Sequence, residues 1–135
     1  MKVAYSKSTE GANWEQLKSD LVADDFDNGR TVEELAPPFG NSALTVFARA
    51  ENRVIGTARA LSDGVCNAYV VDVWTHSKHR RPGIARTMMD VFIEPLSGQH
   101  VYPFTDDAVS FYESIGDQRR GVGFSIVVGR WLNRA

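Results

Sequence analysis

Polar and apolar residues alternate along this chain with two different periods, and the switches between them mark out its elements. Residues 3–5 suit a short first strand. Trp14, Leu17 and Leu21 recur at helical spacing behind Asn13 and Gln16, a capping-box pair, so a first helix is expected over 13–24. The acidic stretch 24–29 ends it. Thr31 and Glu34 form a second capping-box pair, opening a short helix that Pro37 and Pro38 are expected to stop. From residue 43 the period drops to two. Strands over 43–50 and 54–61 flank Glu51-Asn52-Arg53, and a third over 65–75 follows the Asp63-Gly64 turn. Ile84, Ala85, Met88, Met89 and Phe92 then make an apolar stripe, predicting a helix over 84–94 closed by Pro95. A strand over 100–105 follows. Ala108, Phe111, Tyr112 and Ile115 share one face of a helix over 107–114, and the Val- and Ile-rich run 123–131 reads as a closing strand.

Hairpins come first and helix-connected strands later, which predicts an α/β fold with a mixed, mostly antiparallel sheet and helices on both faces. The helix 84–94 has to cross between strands 66–75 and 100–105, so that pair should be parallel. Along 66–75, strict alternation turns Tyr69, Val71, Val73 and Thr75 one way and Val70, Asp72 and Trp74 the other. The first two helices should lie over one end of the sheet, either framing an acceptor site or simply covering the core.

Composition narrows the choice of chemistry. The 135 residues, 43% hydrophobic and 24% charged, fit one domain spanning 1–135. A net charge of −2 argues against a general nucleic-acid binder. The lone cysteine, Cys66, excludes a disulfide within the chain, fits a reducing compartment and is expected to be a small buried apolar residue. No apolar run approaches the ~20 residues that span a bilayer, and residues 1–10 lack a signal-peptide core, so a cytoplasmic location is expected. His76, His79 and His100 have no metal-ligand spacing with other donors, and no metal is expected. His76 is either a general base or a solvated loop histidine, and Asp106-Asp107 reads as a helix cap.

The basic residues are concentrated between strand 66–75 and helix 84–94, where Lys78, Arg80, Arg81 and Arg86 surround His79 and Gly83. A strand leading through a glycine-bearing loop into a helix N-terminus gathers unpaired N–H groups and the positive end of a helix dipole, which suits an anion. The Gly-Lys-Ser/Thr run of a nucleoside-triphosphate loop is missing, which disfavours ATP or GTP hydrolysis. The run Arg80-Arg81-Pro82-Gly83-Ile84-Ala85 fits the pattern Gln/Arg-x-x-Gly-x-Gly/Ala, and Ala108-x-x-Phe111-Tyr112-x-x-x-Gly116 lies on the helix after the next strand. Together these resemble the two signatures of the GCN5-related N-acetyltransferase family, in the expected order and over roughly residues 43–116. Thr105 stands where the second signature usually has asparagine, and Asp117 follows Gly116 where phenylalanine is usual, which points to an irregular final hairpin.

The resemblance implies an acetyl-CoA-dependent transfer of an acetyl group to a primary amine by direct attack in a ternary complex. It assigns the pyrophosphate to main-chain donors of Arg81, Gly83, Ile84, Ala85 and Arg86, with a charge contact from Arg80 or Arg86. Main-chain atoms of Val73, Trp74 and Thr75 would hold the acetyl carbonyl, the pantetheine arm and the oxyanion. Tyr112 would lie near the coenzyme sulfur and protonate the departing thiolate. Asp72, a carboxylate in an apolar strand, either orients the acceptor ammonium and relays its proton or forms a structural ion pair. A homodimer is compatible with this picture, and neither a nucleic acid nor a membrane is expected as partner. The alternative is a non-catalytic acyl-CoA-binding or sensing module.

Overall fold

In the computed structural model, which describes residues 2–80 and 83–134, five strands form one sheet. They are β1 (Ala4–Ser6), β2 (Leu44–Ala50), β3 (Arg53–Ser62), β4 (Asn67–Thr75) and β5 (His100–Pro103), and they neighbour one another in chain order. The first three pairings are antiparallel and β4–β5 is parallel, as the crossover helix requires. The chain divides into two compact units, Met1–Pro103 and Phe104–Ala135.

In the first unit, α1 (Trp14–Ala23) and α2 (Val32–Gly40) cover one face of the sheet. Leu17, Leu21, Leu35, Phe39, Phe47, Val54 and Trp74 form the core there, with Phe39 and Phe47 in edge-on contact at 5.3 Å. The neighbour of Phe47, Ala48, faces the other way, toward α3 (Ile84–Ile93). Helix α3 buries Ile84, Met88, Met89 and Phe92, the face its stripe predicts. At Gly56 a Cβ would meet the Met88 thioether at 3.1 Å, so the missing side chain lets the helix approach β3.

Both capping boxes predicted at the helix starts have their backbone caps: Asn13 accepts from Gln16 N–H, and Thr31 and Glu34 cap each other reciprocally. Pro37 and Pro38 do not stop α2, which runs on to Gly40. Leu35 and Phe39, four residues apart, are both buried. Burying each contributes roughly 1.5–3 kcal/mol, together a gain comparable to the ~3 kcal/mol penalty of each of the two internal prolines. The β2–β3 turn uses only two residues, because Glu51 and Asn52 both take left-handed φ values of 51° and 64°, the pattern of a tight hairpin. Cys66 is exposed rather than buried. It lies in the β3–β4 turn, where Asp63 Oδ1 accepts its N–H and its carbonyl accepts His100 N–H.

In the second unit, α4 (Val109–Ser114) half-buries Phe111 and Tyr112, on the face predicted for it. Its start is held by Thr105, whose hydroxyl accepts the N–H groups of Asp107 and Ala108, and not by Asp106 or Asp107. The closing strand expected over 123–131 does not form. A strand's propensity is realised only against a partner. Among the described residues this run has no ladder, glycines with positive φ stand at 121 and 129, and Phe124 is 94% exposed.

Candidate active site

The carboxylate that was out of place in the sequence marks the key irregularity of the sheet. Across β3–β4 the register steps from Thr57↔Trp74 to Arg59↔Val71, so Ala58 faces both Asp72 and Val73. This is a β-bulge, with Asp72 at φ 56°. The extra residue breaks the alternation expected for β4. Val70 pairs with Ala60 on the α3 side, whereas Trp74 pairs with Thr57 and enters the core under α1 and α2. Val70 and Trp74 therefore face opposite sides, not the same one.

Asp72 accepts from two arginines. Arg30 Nη1 and Nη2 donate to its two oxygens at 2.9 and 3.2 Å, and Arg59 Nε donates to Oδ2 at 2.7 Å. Thr57 Oγ1 donates to the Asp72 carbonyl at 2.8 Å. The bulge is thus tied at side chain and main chain together, and the ion pair weighed from sequence is present.

Past the bulge, β4 parts from its parallel neighbour. The β4–β5 register ends at Val70↔Pro103, where a proline has no N–H to continue it. From Val71 to Thr75 only β3 pairs with β4 among the described residues. His76 N–H donates to Ile55 carbonyl at 2.7 Å. By the alternation of an antiparallel ladder, the main-chain groups of Thr75 then point to the open edge. Arg80 Nε donates to the Thr75 carbonyl at 3.0 Å, in keeping with that direction. Trp74 is committed elsewhere, its indole N–H donating to Asp24 at 3.0 Å.

A 3-10 turn (Ser77–His79) leads onward to Gly83, which opens α3 at φ 119°. Among the described residues no side chain caps this helix. The N–H groups of its first turn, on Ile84, Ala85 and Arg86, converge with the positive end of the helix dipole. Ile84 is buried, while the Arg86 and Lys78 side chains are exposed. Arg81 lies outside the described residues.

One acidic residue organises this loop, and its place in the sequence gives no sign of that role. Asp24, just past α1, accepts Ser77 N–H at 2.9 Å besides the Trp74 indole, and Arg80 lies 3.6 Å away. Burial alone would raise its pKa, but the hydrogen bonds from Ser77 and Trp74 and the Arg80 charge hold it below the ordinary carboxylate value. His76 is buried rather than solvated. Its Nδ1 accepts Lys78 N–H at 3.1 Å and its Nε2 lies 3.5 Å from Asp20, which also pairs with Arg53. Its only acceptor nitrogen is therefore occupied. Asp24 stands in a run of acids that conceals it, and the role of Arg30 and Arg59 depends on a bulge that a period of two does not register.

In the second unit, Tyr112 packs edge-on against Phe111 at 5.0 Å. Burial, with the nearby Asp117 charge, pushes its phenol up to about 12, so it stays protonated well beyond neutral pH. Among the described residues no group of three or more His, Cys, Asp or Glu could hold a metal, and no helix is long and apolar enough to cross a membrane.

Known proteins resemble this chain in sequence and in fold. Residues 41–116 match the model of the acetyltransferase (GNAT) domain. The chain is 33% identical over 91 residues to GCN5-related N-acetyltransferase 1, chloroplastic, of Arabidopsis thaliana; the match covers 67% of this chain and 46% of that protein. The chain thus spans about half the length of the curated relative it matches. Among solved structures, a provisionally assigned acetyltransferase from Deinococcus radiodurans R1 superposes with a TM-score of 0.81 at 28% identity, covering 92% of this chain and 87% of that one. Glucosamine-6-phosphate N-acetyltransferase of Arabidopsis thaliana shares the fold, with a TM-score of 0.71 at 13% identity over 94% of this chain and 99% of that one. With the domain model spanning more than half of it, the chain belongs to the GCN5-related N-acetyltransferase family.

Proposed function

We propose that this protein is an acetyl-CoA-dependent N-acetyltransferase that passes the acetyl group directly to a primary amine. The observation that carries the reading is the N-terminus of α3, uncapped by any side chain among the described residues and opened by Gly83 one loop after β4 loses its parallel neighbour. Main-chain donors of Gly83, Ile84, Ala85 and Arg86 suit the coenzyme's pyrophosphate, since a helix start without a side-chain cap has N–H groups to spare. The open edge of β4 at Val73 and Thr75 suits the pantetheine arm and the acyl carbonyl. Arg80, tied to Thr75 and Asp24, shapes the loop between these two regions.

Bound acetyl-CoA would supply a thioester carbonyl open to attack by an amine. Water would take the proton from the acceptor ammonium. Both Asp72 oxygens already accept from guanidinium groups, so in this reading Asp72 contributes by fixing the bulge rather than by shuttling that proton. Tyr112, matched to the family signature, would donate its phenolic proton to the departing thiolate.

Calorimetry with acetyl-CoA, followed by a free-thiol assay over a panel of amines, tests the proposal. Tyr112→Phe is expected to lower kcat by about 10²–10³-fold, the usual worth of a general acid, while leaving coenzyme affinity unchanged. Because the phenol ionises only near 12, the ratio of wild-type to Tyr112→Phe rates should hold constant as the pH rises to 10.0, the ordinary tyrosine value. A ratio that falls over that span would mean that the phenol ionises earlier than its burial implies, whereas a Tyr112→Phe variant with unchanged kcat would remove Tyr112 from the role. Coenzyme binding without thiol release for any amine would support the non-catalytic module instead.

A further inference from the structure

The two arginines on Asp72 are not equivalent. Arg30 is fully engaged: its Nε donates to the Asp27 carbonyl at 3.0 Å and both terminal nitrogens donate to Asp72. Arg59 gives its Nε to Asp72 and makes a longer contact from Nη1 to Ser42 Oγ at 3.3 Å. Its Nη2 has no protein partner among the described residues, and its side chain is 14% exposed. The outer edge of this guanidinium therefore has donors to spare, and they reach solvent.

Charge points the same way. Two guanidinium groups share one carboxylate, and the adjoining Lys18–Asp27 pair is balanced, so the cluster retains one net positive charge. The Arg59 head also lies over the Phe39 ring, 5.9 Å from its centroid. Held by Asp72 on one side and Phe39 on another, it loses little freedom on gaining a ligand. A planar fork of this kind matches the paired oxygens of a carboxylate or a phosphate.

Position gives the ligand its context. Arg59 stands opposite Val71, two to four residues from the open edge of β4 at Val73–Thr75. At the rise of a strand that is roughly 7–13 Å, a span one small molecule can bridge.

We propose that Arg59 binds an anionic group on the acceptor, so that the preferred substrates are small primary amines bearing a carboxylate or a phosphate. This rests on the acetyl-transfer reading above. Arg30 serves as a positioning residue, holding Asp72 so that Arg59 presents its free edge.

The test compares matched amines on the wild-type protein, with acetyl-CoA binding measured separately by calorimetry. One arm sets amino acids against their methyl esters; the other sets aminoalkyl phosphates against the corresponding amino alcohols. In at least one arm the anionic member should show a kcat/KM at least about tenfold higher, as expected for charge-assisted hydrogen bonds. The arm that responds distinguishes carboxylate from phosphate. Arg59→Gln should bring the ratio close to one, and Arg59→Lys should restore part of it. Neutral members that equal their anionic partners in both arms, or no turnover of any pair while acetyl-CoA binds, would overturn the inference and leave coenzyme binding standing. Absence of acetyl-CoA binding would overturn both readings. If Arg59→Gln does not fold, the wild-type ratios and their loss at high salt decide the matter.

Discussion

Asp24 shows how one side chain can fix a whole loop. It accepts from the Trp74 indole in the core and from Ser77 N–H in the turn that leads to Gly83, with Arg80 alongside. Its native pKa lies below the reference value of 3.8. The unfolded chain therefore takes up this proton first as the pH falls, and the stabilisation is complete above 3.8 and lost as the pH drops through the native value. Asp24→Asn should unfold at lower urea concentration than wild type at neutral pH. The gap between the two should narrow as both are titrated below 3.8, because the native carboxylate is then being protonated too. A gap that stays constant with pH would assign the effect to packing alone. The variant should also weaken acetyl-CoA binding, since the turn that presents Gly83 loses its anchor to the core.

On the scale of elements, the β4 bulge matters most, and it is the feature that sequence periodicity could least reveal. Helix stripes, capping boxes and the parallel β4–β5 pair were legible because each depends on neighbours in sequence or on a crossover rule. The glycine at the head of α3 was legible for the same reason. What escaped notice depends on contacts 13 to 53 residues apart in the chain: Arg59 and Arg30 on Asp72, and Asp24 on Trp74 and Ser77. Asp72 itself gave the hint, since a carboxylate among Val and Trp requires a partner. Period-two counting then assigned wrong faces beyond it. Asp72→Asn should remove the one anion that Arg30 and Arg59 share among the described residues, leaving a single neutral acceptor oxygen for two guanidinium groups. Uncompensated buried charge of that kind costs about 3 kcal/mol. Chemical denaturation gives the check. Amide exchange should accelerate most around the bulge, and uniform acceleration along β4 would mean that the ion cluster does not hold it.

For the molecule as a whole, the contrast lies between a first unit with a closed aromatic and aliphatic core and a final stretch whose apolar residues face solvent. Val122, Phe124, Ile126 and Val128 are all at least 80% exposed, and they occur at every second position, as on one face of a strand. Residues 121–129 include no charge and no proline. Such a segment, rich in β-formers and without a gatekeeping charge, is a template for pairing between chains. The family's usual Gly-Phe after the second signature is Gly116-Asp117 here, so the cue for an ordered hairpin is lost just upstream of this stretch. The expectation is concentration-dependent association that starts from this stretch rather than from unfolding of the first unit. The double variant Phe124→Lys with Ile126→Lys should suppress it in light scattering, because two like charges on the alternating face repel a neighbouring copy. The melting temperature of the first unit should change little, since neither residue belongs to its core. Association that persists in the double variant would place its origin outside the run 121–129, and a melting temperature that falls sharply with it would show that these side chains are buried in solution.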